Sequence, residues 1–122
     1  MSTEPLIAVI DDDDSFRTAL DDSLCSLGYA VRGFTSADEF VAIGGRGPYD
    51  CIITDIHMPG MSGIDLKNLL TARGSDVPVI MITARADPGL EARAVASGAI
   101  GFLRKPFEPD ALSRCLQKAL DA

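Results

Sequence analysis

Short apolar runs, largely β-branched, alternate along the chain with longer segments in which apolar residues recur every three or four positions. Leu6 to Ile10, Cys51 to Thr54, Val77 to Ile82 and Ala99 to Leu103 are almost uninterrupted, the pattern of strands buried on both faces of a parallel sheet. Tyr29 to Phe34 reads as a fifth strand, broken by Ala30 and Arg32 as an edge strand would be. Between the strands, Phe16, Ala19, Leu20, Leu24 and Leu27 keep one helical face apolar, with Gly28 as a left-handed cap behind them. Asp14 or Ser15 is the expected N-terminal cap of that helix. Ser36 with Glu39 predicts a capping box opening a second helix, and Ser62 caps a third that carries Ile64, Leu66, Leu69 and Leu70 and stops at Gly74. Asp87-Pro88 opens a fourth, stopping at Gly98, and Glu108-Pro109 a fifth, with Leu112, Cys115, Leu116, Ala119 and Leu120 at helical spacing. Five strand-helix pairs in strict alternation imply right-handed crossovers and an α/β, doubly wound, five-stranded parallel sheet of order 2-1-3-4-5.

Composition narrows the partners more than the fold. At 122 residues the chain, read as residues 1–122, is one domain, and 47% hydrophobic with 24% charged residues suits an ordinary globular core. Eleven basic against 18 acidic residues leave a formal charge of −7, which repels a phosphate backbone or an anionic membrane surface. Direct nucleic-acid binding by this chain and membrane association are therefore not expected. Cys25, Cys51 and Cys115 are odd in number and widely spaced, fitting neither a disulfide framework nor a zinc site. Three buried thiols in a reducing, cytoplasmic setting is the expectation.

The polar residues that follow the apolar runs are less ordinary. Strand one ends in Asp11-Asp12-Asp13-Asp14, strand three in Asp55, strand four in Thr83, and strand five runs through Arg104 into Lys105-Pro106. In a doubly wound sheet these carboxyl ends share one crevice. Carboxylates so close must either take up a proton or hold a cation between them. Oxygen-only, partly solvated ligands suit Mg²⁺, which takes one or two carboxylates together with a phosphate oxygen. With metal and lysine to neutralise the phosphoryl oxygens, a carboxylate can serve as nucleophile toward phosphorus.

These residues carry a family resemblance that covers nearly the whole chain. The acidic pair after strand one, Thr54-Asp55-Ile56-His57-Met58-Pro59-Gly60-Met61-Ser62-Gly63, Ile82-Thr83-Ala84 and Leu103-Arg104-Lys105-Pro106-Phe107 together resemble the receiver domain of bacterial two-component response regulators, most closely the FixJ type. The resemblance implies the flavodoxin/CheY-like fold, Asp55 as phosphoacceptor, and Mg²⁺ or Mn²⁺ bound by Asp12, Asp55 and the backbone carbonyl of His57. It further implies that Asp11 holds a metal-bound water, that Thr83 and Lys105 contact the phosphoryl group, that the Lys105-Pro106 bond is cis, and that Phe102 is an aromatic switch. His57 and Arg85 would flank the phosphoryl group and tune its lifetime. The implied partners are a sensor histidine kinase, a second copy of the chain on phosphorylation, and an effector, which in FixJ-type proteins is a C-terminal DNA-binding domain.

Ordinary roles compete with several of these. Asp13 and Asp14 read as a solvated, dipole-favoured helix start. Lys105 could be a solvated lysine and Phe102 plain core. The His57 side chain is expected to face solvent, since imidazole is a poor Mg²⁺ ligand. Gly44-Gly45-Arg46-Gly47-Pro48 is turn-rich but lacks the lysine and hydroxyl of a phosphate-binding loop. A phosphorylation-independent docking module is the alternative, which the intact Asp12, Asp55, Thr83 and Lys105 set opposes. A flavin protein would need phosphate-binding loops where four acids stand, and an aspartyl phosphatase would need a second acid where His57 is.

Overall fold

The computed structural model describes residues 4–44, 48–85 and 87–121. Its strands are β1 (Leu6–Ile10), β2 (Ala30–Phe34), β3 (Cys51–Asp55), β4 (Val79–Thr83) and β5 (Gly101–Arg104). All neighbours are parallel, in the order β2-β1-β3-β4-β5, so β2 is indeed an edge strand. The helices are α1 (Asp14–Ser26), α2 (Ala37–Glu39), α3 (Gly63–Ala72), α4 (Leu90–Ala96) and α5 (Pro109–Asp121).

Alternation along the strands divides the core into two layers. Ile7, Val9, Ile53, Ile80 and Ile82 face Leu20 and Leu24 of α1 and Leu112, Leu116 and Ala119 of α5. Ala8, Ile10, Ile52 and Met81 face the opposite layer, built by Phe40, Leu66, Leu70, Leu90 and Ala94. Phe34 and Phe40 meet edge to face at 5.1 Å under the β2 end, with the Tyr49 ring tilted against Phe40 at 5.5 Å.

The helix ends differ from expectation in instructive ways. Asp13, not Asp14 or Ser15, caps α1, its carboxylate accepting the Phe16 amide at 3.1 Å. Asp14 is thereby freed to pair with Arg17. Gly28 takes φ +94 behind α1 and lets the Tyr29 amide return to the Leu24 carbonyl, so the predicted left-handed cap is present. Ser36 caps α2, but Glu39 accepts the Thr35 amide rather than completing a box with Ser36. The second helix then passes after one turn into a π-helical segment, Phe40–Gly44. The full reciprocal box is at Ser62 and Asp65, opening α3. The fourth helix starts late because Asp87-Pro88-Gly89 forms a turn, with Gly89 at φ +83, ahead of Leu90. Positions 45–47 of the glycine-rich connection lie outside the described residues.

Two further expectations are corrected. β4 and β5 both lie nearer their carboxyl ends than expected, β5 because the Ala99 amide still closes the α4 terminus on Ala94. Of the three thiols only Cys51 is buried; Cys115 is half-buried and Cys25 exposed on the outer face of α1. Burial pushes the Cys51 thiol up to about 12, so it stays protonated. No helix among the described residues is long and apolar enough to cross a membrane.

Candidate phosphoacceptor and cation site

β1, β3 and β4 end side by side, and each delivers one polar residue out of an apolar strand. Asp11 is 1% exposed, Asp55 8% and Thr83 0%, although all three follow runs of buried aliphatic residues. Asp11, Asp12 and Asp55 each place a carboxylate oxygen within 4.8 Å of the others, with Asp12 on the exposed side. Lys105, at the end of β5, closes the group. Its Nζ donates to Asp11 Oδ2 at 3.0 Å and to Asp55 Oδ2 at 3.2 Å. The same ammonium lies 3.9 Å from the centroid of the Phe16 ring, a cation-π contact that α1 supplies. The Lys105-Pro106 peptide bond is cis, and the Lys105 amide donates to the Thr83 carbonyl at 2.8 Å.

Backbone donors fix the remaining oxygens. Asp11 Oδ1 accepts the Asp13 amide at 2.9 Å, Asp55 Oδ1 the His57 amide at 3.2 Å, and Thr83 Oγ1 the Arg85 amide at 3.0 Å. The first turn of α3 comes so close to the end of β3 that only a glycine fits at position 63. A Cβ there would stand 2.6 Å from the Asp55 carbonyl oxygen.

Three acids against one lysine leave the cluster with excess negative charge. Burial pushes the Asp55 carboxyl above its usual range, and neighbouring Asp11 adds to the rise, against the pull of Lys105. Burial works to lower the Lys105 ammonium, but the hydrogen bond to Asp11 and the charges of Asp55 and Asp11 together hold it above its usual value. The donor set, all oxygen and partly open on the Asp12 side, fits a hard divalent cation of the Mg²⁺ or Mn²⁺ kind.

A raised carboxyl in the folded state means that the fold binds that proton more tightly than the unfolded chain does. The stabilisation this gives is present below the unfolded value near 3.8 and is lost as pH rises through the folded one. In metal-free buffer, Asp55→Asn is therefore expected to gain urea resistance relative to wild type as pH climbs through that window, levelling off above it. Urea midpoints measured from acid to neutral pH check this; a wild-type-to-variant difference that ignores pH would contradict it.

The other predicted residues divide. His57 does not turn outward: it is half-buried, and its Nε2 is buried without a hydrogen-bond partner among the described residues. His57 is among the residues lining a cleft shared with Asp12, Met58, Ser62 and Arg85. Arg85 is exposed at the rim. Phe102, half-buried on β5, packs against the α3–α4 layer and borders a groove with Val95 of α4 and Cys115 of α5. Sequence reasoning passed over two residues that the fold brings to the site, Phe16 and Arg17. Phe16 reads as part of the apolar face of α1 and Arg17 drew no reading, although their place just after four acids was itself a signal.

Comparison with known proteins agrees with the geometry. Residues 7–117 match the family model described as the response regulator receiver domain. The chain is 37% identical over 121 residues to the transcriptional regulatory protein FixJ of Bradyrhizobium diazoefficiens, covering 98% of this chain and 58% of that protein. It spans a little over half the length of the FixJ and TmoT relatives and about a quarter of the transcriptional regulatory protein DctD. Among solved structures it resembles FixJ-N with a TM-score of 0.90 at 29% identity, covering 98% of this chain and 96% of that one. A response regulator receiver protein from Burkholderia phymatum gives 0.85 at 40% identity, with 97% and 96% covered.

Proposed function

The chain belongs to the response regulator receiver domain family, and from that premise we propose that it is a phosphoacceptor switch with Asp55 as the modified residue. The observation that carries the reading is the contact of one ammonium with two buried carboxylates beside a third, at the ends of the central strands. An Asp55 carboxylate oxygen forms the new P–O bond as the P–N bond of a sensor-kinase phosphohistidine breaks, giving an acyl phosphate that water later hydrolyses. Asp12, Asp55 and the His57 carbonyl would hold Mg²⁺, with Asp11 holding a water on it, and the bound ion would neutralise charge on the transferring oxygens. Lys105 leaves Asp55 to bind one phosphoryl oxygen, and the Thr83 hydroxyl donates to another. The chain thus supplies groups for its own modification and turns over no separate substrate.

The output follows from where Thr83 and Phe102 stand. Movement of the Thr83 hydroxyl toward the phosphoryl group opens space on the α4–β5 side, and Phe102 turns into it. The face of α4, β5 and α5 repacks and presents a surface for a second copy of the chain or for an effector. Residues 1–122 act as one receiver unit within this scheme, in a cytoplasmic setting with the kinase as partner. Relatives that are transcriptional regulators make transcriptional output the reading for the whole protein.

Intact mass after incubation with acetyl phosphate and Mg²⁺ tests the proposal. The expected result is a gain of one phosphoryl group, mapped to Asp55 and absent with excess chelator or in Asp55→Asn. No adduct, together with no binding of beryllofluoride, would leave a phosphorylation-independent docking module in its place.

A further inference from the structure

Arg17 touches the acidic loop twice without pointing into the cation site. Its Nη1 donates to the backbone carbonyl of Asp11 at 2.7 Å, and its Nη2 to the Asp14 carboxylate at 2.6 Å. The side chain is only 17% exposed, since its stem runs along β2. There the strand carries Gly33, where a Cβ would stand 3.3 Å from Arg17 Cδ. The loop is thus anchored on both sides of Asp12, at Asp11 and at Asp14. Asp11 is held at its carbonyl by Arg17 and at its carboxylate by Lys105 and the Asp13 amide, and Asp14 is held by Arg17.

Four consecutive carboxylates repel one another, and left to themselves would spread the loop toward solvent. We propose that Arg17 is a positioning residue for the cation-binding loop: by tying the Asp11 carbonyl and the Asp14 carboxylate to one guanidinium, it keeps Asp12 assembled with Asp11 and Asp55. The inference rests on the reading of those three acids as a divalent-cation site and deepens it. Its sign separates it from a simple charge effect. A guanidinium acting only through its charge repels a divalent cation, so its removal would tighten binding. A guanidinium acting as a clamp has the opposite consequence, because losing an outer-shell partner costs about 10–100-fold in metal affinity.

Mg²⁺ titrations of the isotope-labelled chain, followed by amide chemical shifts at Asp11 to Asp14 and Asp55, decide between them, with urea midpoints measured alongside. Arg17→Met is expected to raise Kd about tenfold. Arg17→Lys keeps the charge but cannot span both acceptors, so its Kd should rise nearly as far. Gly33→Val leaves every charge in place and suits a strand, yet displaces the arginine stem; a smaller rise in Kd is expected without loss of stability. An Arg17→Met chain that binds Mg²⁺ as tightly as wild type or more tightly overturns the inference, and so do lowered urea midpoints with unchanged Kd. A wild-type chain with no saturable shifts overturns the cation site itself, and this inference with it.

Discussion

Lys105→Met should phosphorylate at Asp55 about 100-fold more slowly than wild type at saturating Mg²⁺, a loss of roughly 2.7 kcal/mol of transition-state stabilisation. The ammonium stands 3.2 Å from the acceptor oxygen and is the single cation paired with the Asp11 and Asp55 carboxylates among the described residues. Charge that builds on the transferring oxygens loses its donor when the lysine is removed. Weaker metal binding cannot account for the loss, because the site gains negative charge and Mg²⁺ should bind Lys105→Met more tightly. Lys105→Arg would restore only part of the rate: it keeps the charge, but a planar, delocalised guanidinium replaces the compact ammonium that meets Asp55 Oδ2 at 3.2 Å. Rates of mass gain with acetyl phosphate, measured across Mg²⁺ concentrations for the three chains, give both numbers. Lys105→Met rates within threefold of wild type at saturating metal would remove the lysine from the transfer step.

The ease of reading such a site from sequence has a physical source. A parallel sheet buried on both faces forces near-continuous apolar strands, so Asp11, Asp55 and Thr83 stand out where those strands end. Strand order followed from the number and alternation of the elements, and the helix stop at Gly28 from the need for a positive φ. What escaped depends on contacts between segments remote in sequence or on competition between neighbours. Asp13, Asp14 and Ser15 are all competent caps, and the choice fell to Asp13 because Arg17 could then claim Asp14. The second helix could not be bounded from its Ser36 cap, since its length depends on Phe40 reaching Phe34 and Tyr49. The His57 side chain was expected outside because imidazole is a poor Mg²⁺ ligand, a reason that bears on ligation and not on packing, and the fold half-buries it with Nε2 out of solvent. Arg17 takes its place from β2, which puts Gly33 beside its stem, and no local pattern around α1 announces that contact.

Gly63→Ala is expected to destabilise the fold by about 2 kcal/mol and, separately, to slow Asp55 phosphorylation by more than tenfold. The added Cβ would meet the Asp55 carbonyl oxygen at 2.6 Å and the Ile56 Cα at 3.1 Å, and both are backbone atoms that no rotamer change can move aside. Relief has to come from sliding α3 outward or bending the end of β3. α3 is held by Leu66 and Leu70 in the core and by the hydrogen bond that the Gly63 amide donates to the Ile56 carbonyl at 3.0 Å. The strand end therefore takes much of the displacement, and with it the acceptor carboxylate set against Lys105. Ser62→Ala supplies the contrast one residue away. It removes the cap of α3 and costs about 1 kcal/mol, but adds nothing against β3, so its phosphorylation rate should match wild type. Urea midpoints and acetyl phosphate rates on the two variants separate loss of stability from loss of alignment. Equal rates for both, at whatever cost in stability, would mean that the approach of α3 to β3 holds up the fold without setting the position of Asp55.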